Sequence, residues 1–259
     1  MDQLKNIKGF LIDLDGVLYI DDEPIPGAVE AIAYLKDQGF ILRFITNTTT
    51  QSIDSIYNKM TSMGFQVLKS EIVTTPTVAR DYLRKENISS CYLLTNDEIK
   101  PVYQEFAITE HNPQAIVIGD VGDIWDYALM QKLFLMVMEG AQIVALHKGK
   151  YWRTKDGLKL DIGAFITGLE YVSGKEAVLI GKPSGTFFRL ALFSMGLEPG
   201  EAAIIGDDID NDIGGGKGIG LKGIIVRTGK YLAEKVEAAK IKPDLTIDSI
   251  GAIRDLRGN

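Results

Sequence analysis

A chain of 259 residues, 46% hydrophobic and 24% charged, has a globular composition with length for one large domain or two modest ones. Its net charge of −7 speaks against a nucleic-acid surface, which needs clustered Lys and Arg. The longest apolar stretch, Leu133 to Met138, is too short to span a bilayer. Cys91 is the single cysteine, which excludes an internal disulfide and fits a reducing compartment. No signal-peptide architecture precedes the first apolar run, so a cytoplasmic location without nucleic-acid or membrane partners is expected.

Apolar runs and helical periodicities alternate along the chain, which predicts an α/β fold with a mainly parallel sheet. Gly9 to Ile12 reads as a buried strand that runs into Asp13-Leu14-Asp15-Gly16-Val17. Pro26-Gly27 opens a helix over Ala28 to Asp37, closed by Gly39. Ile41 to Ile45 is the next strand, Ser52 to Met63 the next helix, and Pro76 to Lys85 a third helix. The alternation continues with a strand at Tyr92 to Leu94, a helix reaching Phe106, and a strand at Ala115 to Ile118. A helix from Trp125 to Glu139 follows, apolar on most faces and hence buried on at least two, then a strand from Ile143 to Leu146. Tyr151 to Asp161 reads as a hairpin around Lys155-Asp156-Gly157, and Gly163 to Val172 as a helix. Strands at Val178–Ile180, Ala203–Ile205, Ile224–Val226 and Leu245–Ile247 complete the pattern.

Strands of open parallel sheets present ligands at their carboxyl ends, so the first strand delivers Asp13 and Asp15 to the place where such folds do chemistry. Asp13 and Asp15 are two apart, and a continuing strand would point both to one face. From Asp13 to Thr46 the chain has room for one strand–helix–strand unit. From Thr46 to Lys182 it has far more than a crossover needs, so a domain of roughly a hundred residues is inserted there. The expected division is a Rossmann-like core over 1–79 and 177–259, with a smaller inserted α/β domain over 80–176, which is a cap if the resemblance described next holds.

Four pieces occur in a fixed order: Asp13-Leu14-Asp15-Gly16-Val17, Phe44-Ile45-Thr46-Asn47, Gly181-Lys182-Pro183, and Ile204-Ile205-Gly206-Asp207-Asp208 continuing to Asp212. Together they resemble the four motifs of the haloacid dehalogenase superfamily. Tyr171 through Pro183 and Thr228-Gly229-Lys230-Tyr231 extend the resemblance to its type IIA branch, over nearly the whole chain. An insertion between the second and third motifs is that superfamily's second class of cap.

The resemblance implies a Mg²⁺-dependent phosphatase of small phosphorylated metabolites, working through an aspartyl phosphate. Asp13 would be the nucleophile, already ionised if its carboxyl keeps the ordinary value near ~3.9. Asp15 would protonate the leaving oxygen and later activate water, its proton retained by crowding and desolvation under the cap. Asp13, Asp15 (through its backbone carbonyl) and Asp207 would hold Mg²⁺. Lys182 would add a second positive charge, and Thr46 and Asn47 would donate hydrogen bonds to the phosphoryl oxygens. Asp212, and with it Asp208, would support the site from behind, while Asp210 is a solvated loop residue.

Other patterns mislead. Starting at Asp208, the acidic cluster imitates the opening of a calcium-binding EF-hand loop, but Ile213 and Ile219 stand where that loop needs Gly and Glu. Gly218, Gly220 and Gly223 spell a dinucleotide fingerprint but precede a strand where the fingerprint must follow one. Within the insertion, His147, Tyr151, Trp152 and Arg153 are candidates for substrate selection, with a structural role for His147 equally open. His111 is read as a loop residue without chemistry. Pairing into a homodimer through the cap, by the helix around Phe134, is a further expectation carried by the resemblance. A non-catalytic phospho-ligand-binding protein of the same fold, or a phosphotransferase, is the alternative reading.

Overall fold

The computed structural model describes residues 6–154 and 157–257. In chain order the strands are β1 (Gly9–Asp13), β2 (Tyr19–Ile20), β3 (Glu23–Pro24), β4 (Ile41–Thr46), β5 (Ile72–Thr74), β6 (Ser90–Leu94), β7 (Ala107–Ile108) and β8 (Ala115–Ile118). They continue as β9 (Gln142–Ala145), β10 (Tyr151–Thr154), β11 (Gly157–Leu160), β12 (Val178–Leu179), β13 (Ala202–Gly206), β14 (Lys222–Val226) and β15 (Leu245–Ile247). The chain divides into two compact units. The first comprises the chain up to Thr46, Ile53–Val73, and the chain from Lys182 onward; the second comprises Asn47–Ser52 and Thr74–Gly181. The expected α/β fold with an inserted α/β unit is therefore present.

In the first unit the sheet order is β15-β14-β13-β1-β4-β5, and β1 pairs in parallel with both β13 and β4. Every residue of β1 and β13 is buried, which is why both read as unbroken apolar runs instead of alternating ones. The helix Ala28–Asp37 lays Ala28, Ala31, Ile32 and Leu35 onto the sheet, the spacing of one helical face. From β1 the chain moves to β4 on one side; from β13 it moves to β14 on the other. Outgoing connections that diverge from adjacent strands leave a crevice at their carboxyl ends. Asp13 ends one of these strands and Asp207 follows the other.

The second unit has its own parallel sheet, ordered β12-β9-β8-β6-β7. The helices Tyr127–Met138 and Gly163–Ser173 bury Leu133, Met136, Val137, Ile166 and Leu169 in one cluster with Ile116, Ile118 and Ile143 of that sheet. Leu146 and Gly181, just past β9 and β12, are joined by a 2.9 Å backbone hydrogen bond.

Several local expectations are corrected. The stretch expected as a helix up to Phe106 is a 3₁₀ turn series over Asp97–Tyr103, because Pro101 inside it has no N–H to give. The helix expected from Trp125 begins at Tyr127, since the Asp126 carboxylate caps it by accepting from the Leu129 N–H at 2.7 Å. Asp210, read as a solvated loop residue, lies in a π-helical turn over Ile209–Gly214 capped by Asp208. The edge strand β5 and the small β2–β3 hairpin had no strong pattern and went unread. Strands β10 and β11 pair antiparallel as expected, but the Lys155-Asp156 turn and the side chains of Trp152 and Arg153 lie outside the described residues. No described helix is long and apolar enough to cross a membrane.

Candidate active site

Four buried charged side chains meet at the crevice of the first sheet. Lys182 Nζ donates to Asp13 Oδ1 and to Asp212 Oδ1, each at 2.7 Å. Carboxylate oxygens of Asp13, Asp207 and Asp212 all lie within 4.8 Å of one another. Asp13 is the last residue of β1, opposite Ile45 of β4. Thr46, the residue after Ile45, is itself buried. Lys182 enters through the Gly181-Lys182-Pro183 segment, where the Lys182–Pro183 peptide bond is cis.

The electrostatics follow from burial. Desolvation pushes the Asp13 carboxyl above its ordinary value, with Lys182 pulling against it. The expectation of an ordinary carboxyl value at this residue is corrected accordingly. Burial would lower the Lys182 ammonium, but Asp13 and Asp212 outweigh it and hold the charge more firmly than in water. Desolvation raises Asp207 to about 6 and Asp212 to about 6, Asp212 with further help from the charge of Asp13.

Asp207 is gripped in a way that sequence reasoning did not find. Its Oδ2 accepts from the Lys230 N–H at 2.8 Å. Gly16 and Gly229, with φ of +84° and +61°, close on the same oxygen, and a Cβ built on either would stand 2.1 or 2.0 Å from it. Only glycine fits either position, for the clash as well as for the backbone. The Thr228 hydroxyl donates to the Gly16 carbonyl and ties the two loops together. The other oxygen, Asp207 Oδ1, is buried without a hydrogen-bond partner. Such an atom costs roughly 1–3 kcal/mol unless something satisfies it.

The remaining expected residues are distributed as follows. Asp15 is exposed, beyond the end of β1 and bridged to Tyr19, so the burial expected there is found at Asp13, Asp207 and Asp212 instead. The strand does not continue through Asp15, and the shared-face argument for the two acids lapses with it. Asp208 faces away from the cluster: it accepts from the Asp210 and Asn211 N–H groups at 3.0 Å each and from Asn211 Nδ2 at 2.7 Å. Burial works against its charge, but these donors hold it below the usual carboxylate value. The Asp208 N–H donates to Asp212 Oδ2 at 3.1 Å. Asp210 is exposed.

In the second unit, Asn47 Oδ1 accepts from the Thr75 hydroxyl at 3.5 Å. His147 is half-buried, its Nδ1 accepting from the Gly149 N–H at 3.4 Å and lying 3.7 Å from Asp161 Oδ2. Burial lowers its pKa while Asp161 and Asp120 oppose that shift. Tyr151 is exposed.

Family patterns match both halves of the chain: haloacid dehalogenase-like hydrolase over residues 10–109 and HAD-hydrolase-like over 179–253. The chain is 38% identical to human haloacid dehalogenase-like hydrolase domain-containing protein 2 over 94% of its own length and 93% of that protein's. It is 35% identical to human phospholysine phosphohistidine inorganic pyrophosphate phosphatase, over 98% and 95%. Among solved structures, p-nitrophenyl phosphatase from Archaeoglobus fulgidus superposes with a TM-score of 0.88 at 28% identity, covering 96% and 99% of the two chains. The chain belongs to the haloacid dehalogenase superfamily of hydrolases, in its type IIA branch, as a phosphoric monoester hydrolase.

Proposed function

We propose that the chain is a Mg²⁺-dependent phosphatase of small phosphorylated metabolites, with Asp13 as nucleophile. The observation that carries this reading is the Asp13–Lys182–Asp212 ion triad beside the unpartnered Asp207 Oδ1. Three carboxylates with one ammonium leave a surplus of negative charge, and an orphaned carboxylate oxygen among them suits a hard divalent cation. Asp13 and Asp207 by carboxylate and Asp15 by its backbone carbonyl would hold that ion, with Asp212 supporting the site through Lys182. When bound, Mg²⁺ supplies positive charge against the repulsion between carboxylate and phosphate.

The chain's own residues then divide the reaction. A carboxylate oxygen of Asp13 attacks phosphorus, and the bond from phosphorus to the leaving oxygen breaks. Asp15, exposed in the free chain, would give a proton to that oxygen once bound substrate covers its carboxyl. A water then attacks the phosphorus of the aspartyl phosphate, Asp15 takes the water's proton, and the Asp13 carboxylate is regenerated with release of phosphate. Lys182 neutralises charge on the phosphoryl oxygens from its seat between Asp13 and Asp212. Thr46 and Asn47 fix those oxygens by hydrogen bonds. We take the inserted unit to be the cap that excludes water, and the cytoplasm to be the compartment. Pairing of two copies through the helix Tyr127–Met138, which exposes Tyr127, Leu135 and Met138, belongs to the same reading; sedimentation as a monomer at micromolar concentration would refute it.

Two linked measurements test the reading. p-Nitrophenyl phosphate should be hydrolysed with Mg²⁺ and not with a chelator in excess; equal rates under both conditions would defeat it. The second measurement is the Mg²⁺-induced rise in melting temperature at pH 5 and pH 7.5. Asp207 and Asp212 have raised carboxyl pKa values of about 6, so between the unfolded value near 3.8 and about 6 the metal-free folded chain binds more protons than the unfolded one. The metal-free fold therefore loses stability as pH rises through that window. A cation must displace those protons, so its stabilisation should be small at pH 5 and full at pH 7.5. A larger shift at pH 5 would contradict the assignment.

A further inference from the structure

Both neighbours of β13 send the chain over its carboxyl end. Asp207 follows β13, which lies between β14 and β1. The segment after β14 brings Gly229 and Lys230 to Asp207 Oδ2, and the segment after β1 brings Gly16 to the same oxygen. The two glycines also meet each other: a Cβ built on Gly16 would stand 2.9 Å from the Gly229 Cα, and one built on Gly229 would stand 2.7 Å from the Gly16 Cα. Neither glycine has a side chain to interlock there, and the hydrogen bond across the contact runs from the half-buried Thr228 hydroxyl to the Gly16 carbonyl. The Gly16 N–H donates to the Tyr19 carbonyl at 2.8 Å, which braces its own loop.

This enclosure decides how many oxygens Asp207 can offer. Oδ2 is taken by the Lys230 N–H and walled by two glycine backbones, whereas Oδ1 is buried and has no hydrogen-bond partner among the described residues. Asp13 likewise has one oxygen, Oδ1, committed to Lys182 Nζ at 2.7 Å. Asp207 can therefore meet a cation with one oxygen and cannot chelate it with two. Mg²⁺ demands a near-ideal octahedron of oxygens at roughly 2.0–2.1 Å, which singly presented oxygens suit. Ca²⁺ is larger, takes about 6–8 oxygens at roughly 2.3–2.6 Å, and often uses both oxygens of a carboxylate.

We propose that Thr228 is a positioning residue of the metal site and sets its preference for Mg²⁺ over Ca²⁺. Its hydroxyl keeps the loops of Gly16 and Gly229 closed on Asp207 Oδ2, so the carboxylate presents Oδ1 alone. Without that bond the two glycine segments can part, and Asp207 can turn both oxygens toward the larger ion. In this role Thr228 touches neither the cation nor the reacting groups; it acts through Asp207. The proposal rests on the metal reading above and adds a determinant that lies outside the four motifs.

The experiment titrates Mg²⁺ and Ca²⁺ separately into the full chain by isothermal calorimetry at pH 7.5, without substrate, for the wild type, Thr228→Val and Thr228→Ser. The wild type should bind Mg²⁺ more tightly than Ca²⁺. Thr228→Val keeps the shape of the side chain and loses the hydroxyl. It should lower the ratio of the Ca²⁺ Kd to the Mg²⁺ Kd roughly tenfold or more, within the 10–100-fold usual for groups that support a metal ligand. Thr228→Ser, which keeps the hydroxyl, should restore the ratio. A merely structural role would weaken both ions alike, so a ratio within twofold of wild type in folded Thr228→Val would overturn the proposal, as would a Thr228→Ser no different from Thr228→Val. A wild type that binds Ca²⁺ as tightly as Mg²⁺, or more tightly, would overturn it without recourse to any variant. A wild type that binds neither ion would instead bring down the metal reading, and this proposal with it.

Discussion

Asp13→Asn is expected to abolish turnover while the chain stays folded. An amide cannot form the acyl phosphate, and loss of a nucleophile of this kind costs about 10⁴-fold or more. The fold should survive, because the amide keeps the shape of the carboxylate and its oxygen can still accept from Lys182 Nζ. Lys182 also retains its second partner, Asp212, at 2.7 Å. Removal of a buried negative charge whose pKa is raised by desolvation takes away a cost as well as an ion pair. The melting temperature should therefore move by a few degrees at most. Purified variant that kept more than a few per cent of wild-type activity would remove Asp13 from the nucleophile's role.

Substitutions along the fourth motif are expected to fail in a defined order. Asp207→Ala deletes the carboxylate whose Oδ1 has no partner and whose Oδ2 is fixed by Lys230 and the two glycines. Activation by Mg²⁺ should become undetectable. Asp212→Ala removes one of two carboxylates on Lys182, leaving the ammonium to collapse onto Asp13. Indirect supports of this kind usually cost roughly 10–100-fold in metal affinity or activity. Asp210 is exposed and contributes only its backbone N–H to the Asp208 cap, so Asp210→Ala should titrate with Mg²⁺ as the wild type does. Activity measured against Mg²⁺ concentration ranks the three; if Asp210→Ala proved the most damaging, the roles assigned along this motif would be out of register.

The parallel sheets were legible because strands buried on both faces leave unbroken apolar runs, as at Phe10 to Ile12 and Ala203 to Ile205. The inserted unit was legible from the length of chain between Thr46 and Lys182. What escaped is instructive. The 3₁₀ series over Asp97–Tyr103 has a helix-like composition and differs through Pro101, whose effect is on hydrogen-bond geometry. The exposure of Asp15 escaped because strand alternation was extended past the residue where β1 stops. The grip on Asp207 joins Gly16 to Gly229, far apart in the chain, and no local pattern marks a long-range close approach. Thr228-Gly229-Lys230 carries only a family resemblance in the sequence; a glycine three residues after the apolar run Ile224 to Val226 is the available signal.

The order of strands in the first sheet also bears on how this protein is made. β1 is synthesised long before one of its two neighbours, β13. A ribosome adding ~5–20 residues per second leaves that edge of β1 open for roughly ten to forty seconds, an apolar strand with unpaired backbone groups. The residues of the second unit have all been added before β13 emerges, and its sheet needs nothing from later in the chain. Assembly on the nascent chain thus runs from the inside out. The inserted unit can close early, whereas the carboxylate of Asp13 waits for Lys182 to supply its counter-charge.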